Sequence, residues 1–302
     1  MSKFYPEGWS PDPEAVEEIL AQEPIPYFEG TPAAQVAGIP DHVYLWESYR
    51  KVTGKKWPAR DQGSVGSCVS FGAAAAIEAT LASQILIALG SNSKLLGSTV
   101  IPDLVQEQIY GGSRVEIGLG KIVGDGSLGA WAAKCVQKYG VVGRAIYDKY
   151  DLRQYDIKRC RQWGALGIPD DLEPECRKRI VKSITLVRDF DSAKQALASG
   201  YGISICSSRG FATKRDAEGF CKPSGIWHHC MALIGYQTLE RPGGFIVNSW
   251  GPSYHGGPIG PADSPLSGFW ADASVIDTML KQGDSWAFSA VTGFPAQQLD
   301  WR

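Results

Sequence analysis

The amino-acid sequence predicts an α+β fold with two lobes, the first mainly helical and the second mainly β. Up to about residue 180, apolar residues fall in alanine-rich or amphipathic runs, which are typical of helices. From about residue 181, short β-branched or aromatic runs alternate with Gly, Pro and Asp, as strands do. A chain of 302 residues can bury a sizeable core. Helices followed by strands favour an α+β arrangement.

Residues 1–38 are rich in Pro and Glu and are predicted to form an N-terminal arm. Within this arm, a short amphipathic helix is expected, with Asp12 as its N-cap and Pro13 at its first position. Val16 and Ile19 lie on one face of that helix. Because a short apolar face requires a partner surface, we expect the helix to dock on the main domain in preference to serving a regulatory role.

The main domain is predicted to span residues 39–302, with the helical lobe at about 60–180 and the β lobe at about 181–302. Helices are expected from 69 to about 90, over LGAWAAKCVQKYG, and over DSAKQALASG with Asp191 as a cap. Strands are expected in SITLVRD, GISICSS, CMALIGYQ, GFIVNSW, GFWADASV and DSWAFSAVTG.

The overall composition argues against nucleic-acid and membrane partners. The formal net charge is −2, with 21% charged residues, so no basic surface is predicted. No apolar run approaches the roughly 18 residues of a membrane-spanning helix. The first residues, MSKFYPEGWSPDPE, lack the basic and apolar regions of a signal peptide, so a cytoplasmic location is expected. The oligomeric state is left open.

Cys68 is set apart by its position within DQGSVGSCVSFGAAAAIEAT, at the first turn of a predicted helix. The positive end of the helix dipole favours the thiolate, which is the nucleophilic form of cysteine. Gly63 and Gly66 leave room for a substrate close to the backbone. Gln62 could fold back toward the sulfur and, with the Cys68 N–H, form an oxyanion hole. The odd total of seven cysteines, without framework spacing, predicts reduced and mostly buried thiols.

A nucleophilic thiol needs a base, and only four histidines are available. His229 lies in WHHCMALIGYQ, at the mouth of a predicted strand. Asn248, in FIVNSWG, ends a later strand, and its side-chain carbonyl could accept the imidazole N–H. Trp250 could lie over that hydrogen bond and exclude water.

His228 is the fallback for His229, because neighbouring residues on a strand face opposite ways and only one of the two rings can enter the cleft. His229 is preferred for its spacing to Gly235. No metal site is predicted here, since CxxC spacing and concentrated carboxylates are both missing from the sequence around these histidines.

Three blocks of the sequence resemble the papain family of cysteine peptidases. The segment QGSVGSCVSF, residues 62–71, matches the family block Q-G-x-C-G-S-C-W-[AS]-F. The run from His229 to Gly235 and Tyr236 matches the histidine block, and the asparagine block N-S-W-G is intact at 248–251. The resemblance covers about residues 39–280, with extra loop residues expected between about 87 and 120.

The resemblance implies a papain-like fold in which a helical lobe carries the nucleophile Cys68. A β-barrel-like lobe would carry the general acid/base His229 and the orienting residue Asn248, with the cleft between the lobes. Gln62 would be the oxyanion donor, and Trp250 would shield the His–Asn pair. The implied activity is hydrolysis of peptide or protein substrates through a thiolate–imidazolium pair and an acyl-enzyme, without metal or organic cofactor.

Supporting roles are expected for residues beside the thiol and in the cleft wall. Gly66 and Ser67 directly precede Cys68. Ser127 and Leu128 stand near the paired glycines that hold substrate backbone in the family, and side chains there are expected to narrow the cleft.

The sequence departs from the family at several positions. Val65 and Asp125 stand where the family has a disulfide, which fits a compartment in which disulfides do not persist. Val69 replaces the aromatic residue that follows the nucleophile, so a changed rate or preference is expected. The arm of 38 residues is much shorter than the family's inhibitory pro-segment, and activation by its removal is not predicted. No role is assigned to His255.

Two other interpretations stay open at the level of sequence. The same dyad could catalyse acyl transfer, or hydrolyse isopeptide or other amide bonds. Alternatively, the chain could be a catalytically weak scaffold or binding protein that retains the fold. The presence of all four catalytic residue types favours an enzyme.

Overall fold

A computed structural model describes residues 6–261 and 263–297 and contains helices and strands in both halves of the chain. The helices cluster before residue 180, as predicted, although two of them lie after it. They are α1 (Pro13–Leu20), α2 (Leu45–Thr53), α3 (Cys68–Leu89), α4 (Gln106–Gly112), α5 (Gly129–Lys138), α6 (Ile157–Leu166), α7 (Glu173–Cys176), α8 (Phe190–Ala198) and α9 (Ala273–Leu280). Short 3₁₀ turns at Phe28–Gly30 and Pro32–Gln35 and a π turn at Ser113–Ile117 complete the helical elements.

The strands form one antiparallel sheet and a small hairpin. They are β1 (His42–Tyr44), β2 (Ile146–Tyr147), β3 (Tyr150–Asp151), β4 (Ser183–Leu186), β5 (Ile203–Phe211), β6 (Pro223–Gln237), β7 (Gly243–Val247), β8 (Gly268–Asp272) and β9 (Trp286–Ser289). The seven-stranded sheet runs β4-β9-β5-β6-β7-β8, with β1 also paired to β6, and β2 pairs with β3. Its path ends at β4 and β8, so the described strands form an open sheet.

Helix α3 is the central core helix, and it begins at the cysteine singled out from sequence. It runs from Cys68 to Leu89 and ends at Gly90, as its alanine-rich pattern predicts. By length and composition this helix could cross a membrane, but 67% of its most apolar 18-residue stretch is buried inside the fold. Its all-round apolar surface is that of a helix enclosed by other elements.

Two glycines allow α3 to approach the sheet closely. A Cβ at Gly72 would lie 2.8 Å from both the Cys230 sulfur and the Met231 carbonyl oxygen, and one at Gly202 would lie 2.5 Å from the Ala76 oxygen. Real Cβ atoms do not tolerate such distances to backbone, so side chains at these positions would push the helix away. Gly72 lies one turn after Cys68, and this close packing therefore fixes the height of the thiol above β6.

Strand β6 is the hub of the sheet because it pairs with β5, β7 and β1. His229 lies opposite Ser207 on β5, and the pairing shifts register just beyond that point. Local irregularity of this kind is common beside functional sites, where it redirects side chains. The histidine is thus carried on the most completely paired strand, at the point where regular pairing ends.

The arm helix α1 forms as predicted and docks on the helical lobe. Asp12 caps it, with its Oδ1 accepting the Ala15 N–H at 3.0 Å, and Pro13 occupies the first helical position. Its apolar face is buried, with Ala15 packed in a cluster with Leu128 and Trp131 of the main domain. Docking of this face supplies the partner surface that the amphipathic pattern requires.

Some elements differ from the prediction in their bounds, and some observed helices were not predicted. The cap of α8 is Asp189, whose side chain accepts the Ser192 N–H at 2.7 Å, whereas Asp191 pairs with Lys194. The segment GFWADASV is half strand and half helix, because β8 ends at Asp272 and α9 begins one residue later. Helix α4 was missed because it buries polar and charged residues, which obscures apolar periodicity, and helix α6 because few of its residues are buried at all.

Candidate active site

The thiol of Cys68 lies at the N-terminus of α3 and is fully buried. Its sulfur accepts the backbone N–H of Cys230, a β6 residue, at 3.4 Å. Since Cys230 directly follows His229, this bond brings the thiol alongside the strand segment that carries the histidine. The cysteine therefore lies beside the strand segment that carries the histidine, although no hydrogen bond joins the Cys68 sulfur to His229 Nδ1.

The imidazole of His229 is held by Asn248 and covered by Trp250. The Asn248 Oδ1 accepts the Ser249 backbone N–H at 2.7 Å, which identifies that amide atom as the oxygen. His229 Nε2 lies 2.9 Å from the same oxygen and therefore donates to it. The Trp250 ring lies over the pair, with its centroid 4.2 Å from that of His229.

This hydrogen bond fixes the tautomer of His229. With the proton on Nε2, a neutral ring carries its free lone pair on Nδ1. That Nδ1 atom is buried and has no hydrogen-bond partner within the described residues. An unpaired buried acceptor is costly, so Nδ1 is the ring nitrogen of His229 that lacks a partner while the cleft segment is docked.

His228 and His229 face opposite sides of β6, as strand geometry requires. His229 is buried and His228 is exposed. The ring of His228 therefore lies outside the cleft. Its backbone carbonyl oxygen lies at the cleft and accepts the N–H groups of Gly8 and Trp9.

The candidate oxyanion donor Gln62 is fully buried and joined to the asparagine loop. Its backbone N–H donates to the Ser249 oxygen at 2.8 Å, and its Oε1 accepts the Ser249 hydroxyl at 2.6 Å. These bonds leave Nε2 as the donor end, which points toward Val65 O at 2.9 Å and Pro6 O at 3.1 Å. The amide thus presents N–H groups, as an oxyanion hole needs.

The arm lies across this site, which the sequence did not predict. Residues 6–10, here called the cleft segment, hydrogen-bond to several of the groups described above. Gly8 N and Trp9 N both donate to His228 O at 3.0 Å. In the cleft wall, Ser127 N donates to Gly8 O at 2.9 Å, and Ser10 N donates to Ser127 O at 3.0 Å.

The cleft segment presents the wrong group to the thiol for chemistry. Its Gly8 N–H donates to His228 O at 3.0 Å and also lowers the pKa of the Cys68 thiol, whereas attack requires a carbonyl carbon at the sulfur. The carbonyl of the cleft segment that binds Gln62 Nε2 belongs to Pro6, two residues before Gly8. The segment therefore occupies the site without offering a bond for cleavage.

Two glycines permit this close approach. A Cβ at Gly8 would lie 2.1 Å from Gly66 O, and a Cβ at Gly66 would lie 2.4 Å from Glu7 O. Both contacts are with backbone atoms, which cannot move aside cheaply. Gly66, expected to leave room for a substrate, makes room here for the arm.

The cleft wall differs from expectation in where its side chains point. The Ser127 hydroxyl donates to Ser113 Oγ at 2.8 Å inside the protein, and Leu128 is buried against Ala15 and Trp131. The expected narrowing of the cleft by these two side chains is therefore wrong. Only the backbone of Ser127 faces the cleft segment.

Two further predicted positions have structural roles. Asp125, which stands at a disulfide position of the family, accepts the Gly66 N–H at 3.0 Å and so ties the wall to the cysteine loop. Ser67 is the N-cap residue of α3 but makes no side-chain capping bond. All seven cysteines, which lie within the described residues, are buried free thiols, as expected.

Burial sets the protonation of the covered site. It raises the pKa of the Cys68 thiol well above its ordinary value, although hydrogen bonds from Cys230, Val69 and Gly8 oppose this. It also lowers the pKa of His229 to about 4, against the opposing effect of Asn248. Both directions favour neutral thiol and neutral imidazole. The thiolate–imidazolium pair expected from sequence therefore requires water or substrate in the cleft.

His255 belongs to the site, although no role was assigned to it from sequence. It is buried, and its Nε2 lies 3.4 Å from Asn248 Nδ2 and can accept that amide hydrogen. Its Nδ1 lies 3.4 Å from the Cys221 sulfur. Burial and nearby Arg215 lower the pKa of His255 to about 3, so it remains a neutral acceptor at ordinary pH. No spacing in the sequence signals this contact.

His255→Phe is expected to lower kcat/KM by about tenfold, because the Asn248 amide would lose its acceptor and hold His229 less firmly. A buried unsatisfied donor costs about 1–3 kcal/mol, and about 1.4 kcal/mol corresponds to tenfold. Steady-state peptide cleavage measures the effect. His255→Gln, which retains an acceptor, should recover part of the loss, whereas equal loss in both variants would argue against this role.

Comparison with known proteins supports the fold. No protein-family model matches the chain, and no curated protein sequence does so. Among solved structures, xylellain, a cysteine protease from Xylella fastidiosa, matches with a TM-score of 0.57 and 17% identity, covering 94% of this chain and 91% of that one. Digestive procathepsin L 3 of Tenebrio molitor matches with a TM-score of 0.55 and 16% identity, covering 91% of this chain and 79% of that one. The ragweed pollen allergen Amb a 11, a cysteine protease in its proform, matches with a TM-score of 0.54 and 18% identity, covering 91% of this chain and 73% of that one. The chain therefore has the fold of papain-like cysteine proteases.

Proposed function

We propose that this chain, which has the fold of papain-like cysteine proteases, is a cysteine peptidase that hydrolyses peptide bonds through an acyl-enzyme. The observation that carries the proposal is the hydrogen bond between His229 Nε2 and Asn248 Oδ1 beside the buried thiol of Cys68. It leaves the Nδ1 lone pair free to act as a base.

In the first half of the proposed reaction, Cys68 transfers its proton to His229 Nδ1 and its sulfur attacks the substrate carbonyl carbon. The developing oxyanion accepts hydrogen bonds from Gln62 Nε2 and the Cys68 backbone N–H. As the C–N bond breaks, His229 returns the proton to the leaving amine, and a thioester to Cys68 remains.

In the second half, His229 Nδ1 takes a proton from water, and the resulting hydroxide attacks the thioester carbonyl. The C–S bond breaks, and the sulfur leaves as the thiolate, which the imidazolium reprotonates. The Asn248 hydrogen bond holds the ring through both halves. Trp250 keeps water away from that hydrogen bond, since its ring lies over the pair.

The cleft segment further supports a peptidase that is held latent. It hydrogen-bonds to His228 O, Ser127 and Gln62, which are the groups an extended peptide substrate would meet. Two of the matching structures are described as a procathepsin and a proform. We propose that residues 6–10 must leave the cleft before substrate binds.

We also propose that the protein works in a reducing compartment. The seven free thiols and the replacement of a disulfide position by Asp125 support this.

Digestion of a peptide library tests the proposed activity. The full-length Gly8→Ala protein, in which the added methyl group expels the cleft segment, should cleave peptides and acquire one equivalent of an epoxide thiol-protease inhibitor at Cys68. Cys68→Ala in the same background should do neither. Acyl transfer to added amines in place of hydrolysis would favour the transferase alternative, and failure of Cys68 to react would favour an inactive scaffold.

A further inference from the structure

Three of the seven buried thiols lie together at the candidate active site. The Cys68 sulfur accepts the Cys230 backbone N–H at 3.4 Å. Within the sheet, Cys230 of β6 lies directly opposite Cys206 of β5. All three residues are fully buried. Neither Cys206 nor Cys230 takes part in the proposed hydrolysis, so their placement beside the nucleophile has no explanation in that reaction.

Cys206 and Cys230 form a non-hydrogen-bonded pair of the antiparallel ladder. The Cys206 N–H donates to Ser285 Oγ at 3.3 Å and the Cys230 N–H donates to the Cys68 sulfur, so both amides point away from the opposite strand. In such pairs the Cα atoms lie about 4.5 Å apart, and both side chains are on the same face of the sheet. That separation falls within the roughly 4.4–6.8 Å over which a disulfide can form.

The Cys230 side chain points toward α3, the helix that begins at Cys68. A Cβ at Gly72 would lie 2.8 Å from the Cys230 sulfur, so this sulfur lies against α3 one turn beyond Cys68. Burial raises the pKa of the Cys68 thiol, and the Cys230 thiol raises that pKa further. Burial and Cys230, in the same order, also raise the pKa of Cys206. Cys230 therefore has one thiol neighbour on the helix and another on the adjacent strand.

A thiolate that attacks carbonyl groups is also the form of cysteine that peroxides oxidise. Oxidation to a sulfenic acid is reversible when a second thiol condenses with it, whereas further oxidation to a sulfinic acid is not reversed by thiols. Oxidisable cysteines are therefore often placed beside a resolving cysteine. Cys230 has this position relative to Cys68, and Cys206 has it relative to Cys230.

We propose that Cys230 and Cys206 form a thiol relay that restores Cys68 after its oxidation by a hydroperoxide. The relay ends in a disulfide between Cys206 and Cys230 and a free thiol at Cys68. This inference goes beyond the proposed peptidase function and shares with it only the reactive thiolate of Cys68.

In the first step of the relay, the Cys68 thiolate attacks one oxygen of hydrogen peroxide. An S–O bond forms and the O–O bond breaks, so the sulfur is oxidised to a sulfenic acid and the peroxide is reduced. The hydroxide that leaves takes the proton that His229 received from the thiol and becomes water.

Two thiol exchanges follow. Cys230 attacks the Cys68 sulfur, an S–S bond forms, and the S–O bond breaks as hydroxide leaves with the thiol proton as water. Cys206 then attacks the Cys230 sulfur, and Cys68 leaves as a thiolate that takes the Cys206 proton. The net result is that two thiols become one disulfide and one peroxide becomes two waters.

The mass of the intact protein after peroxide treatment tests the relay. Full-length Gly8→Ala protein, in which the cleft segment is released, should lose about 2 Da, and peptide mapping should place the disulfide between Cys206 and Cys230. With Cys230→Ala added, Cys68 should instead gain about 32 Da as a sulfinic acid that thiol reductants do not reverse. Cys176→Ala is the matched control, since it removes a buried thiol of α7, and it should behave as the parent does.

Cys206→Ala in the same background separates the two exchanges. The disulfide between Cys68 and Cys230 should then persist, so epoxide labelling of Cys68 should fall at least tenfold until a thiol reductant is added. In the parent, Cys68 should still accept the epoxide after peroxide treatment. A parent protein that stopped at the disulfide between Cys68 and Cys230 would overturn the role of Cys206.

Equal amounts of sulfinic acid with and without Cys230→Ala, or the absence of any disulfide in the parent, would overturn the whole relay. Should Cys230→Ala fail to fold, the position of the disulfide in the parent still decides, because that measurement substitutes none of the three thiols. Failure of the relay is also distinct from failure of the proposed function. If peptides are cleaved but no disulfide forms, the relay is wrong and the peptidase stands; if the disulfide forms but no peptide is cleaved, the reverse holds.

Discussion

His229→Ala is expected to lower kcat/KM for peptide cleavage by about 10⁴-fold in the Gly8→Ala background. The loss is large because, in the proposed reaction, His229 accepts the thiol proton, delivers it to the leaving amine and activates water, and its buried Nδ1 is free of other partners among the described residues. General acid–base catalysis contributes about 10²–10⁴-fold, and loss of the paired nucleophile adds to it.

Asn248→Ala provides the graded comparison. It removes only the orienting hydrogen bond, so a loss of about 10- to 100-fold is expected, in line with about 1.5–3 kcal/mol for a hydrogen bond to a charged group. His42→Ala is the matched control, since His42 is an exposed histidine on β1. Equal activity of the His229→Ala and His42→Ala proteins would contradict the assigned base.

Gly8→Ala is expected to increase the rate of Cys68 modification by about 100-fold. The added Cβ would lie 2.1 Å from Gly66 O, so the cleft segment cannot stay docked. Loss of two or three backbone hydrogen bonds, at about 1 kcal/mol each, amounts to about 3 kcal/mol, which corresponds to about 100-fold in the open population. Thiol alkylation followed by mass spectrometry measures the rate.

Gly30→Ala is the matched control for that variant. Gly30 also lies in the arm, but a Cβ there would meet only Ile25 Cγ2, at an ordinary 3.4 Å. Its alkylation rate should equal that of the unmodified protein. If Gly8→Ala behaved in the same way as Gly30→Ala, the cleft segment would not control access to the thiol.

The positions of the candidate site residues were predictable because each residue lies in a short local block. Cys68 starts an alanine-rich helix, His229 lies at the buried end of an apolar strand, and Asn248 follows the next one. The pairing of strands β6 and β7 then brings the last two together. Local pattern and sheet pairing were sufficient to locate these groups.

The contacts that surround these residues were not predictable from local sequence. Trp9 and Asp284 are separated by 275 positions, and their contact depends on how the arm crosses the finished fold. His255 lies seven positions from Asn248, but an irregular loop determines that contact. The sequence pattern also could not show that the Ser127 hydroxyl points inward, because that depends on Ser113 in another helical segment.

The pH dependence of Cys68 alkylation tests the central claim most directly. Only the thiolate reacts, and burial raises the pKa of Cys68 in the covered protein, so its rate should be low at pH 7 and rise with pH. In Gly8→Ala, where water enters, pairing with His229 should keep the rate high several pH units below the ordinary thiol pKa of about 8.5. His229→Ala should abolish this low-pH reactivity. A single ionisation near pH 8.5, unchanged by His229→Ala, would contradict the account.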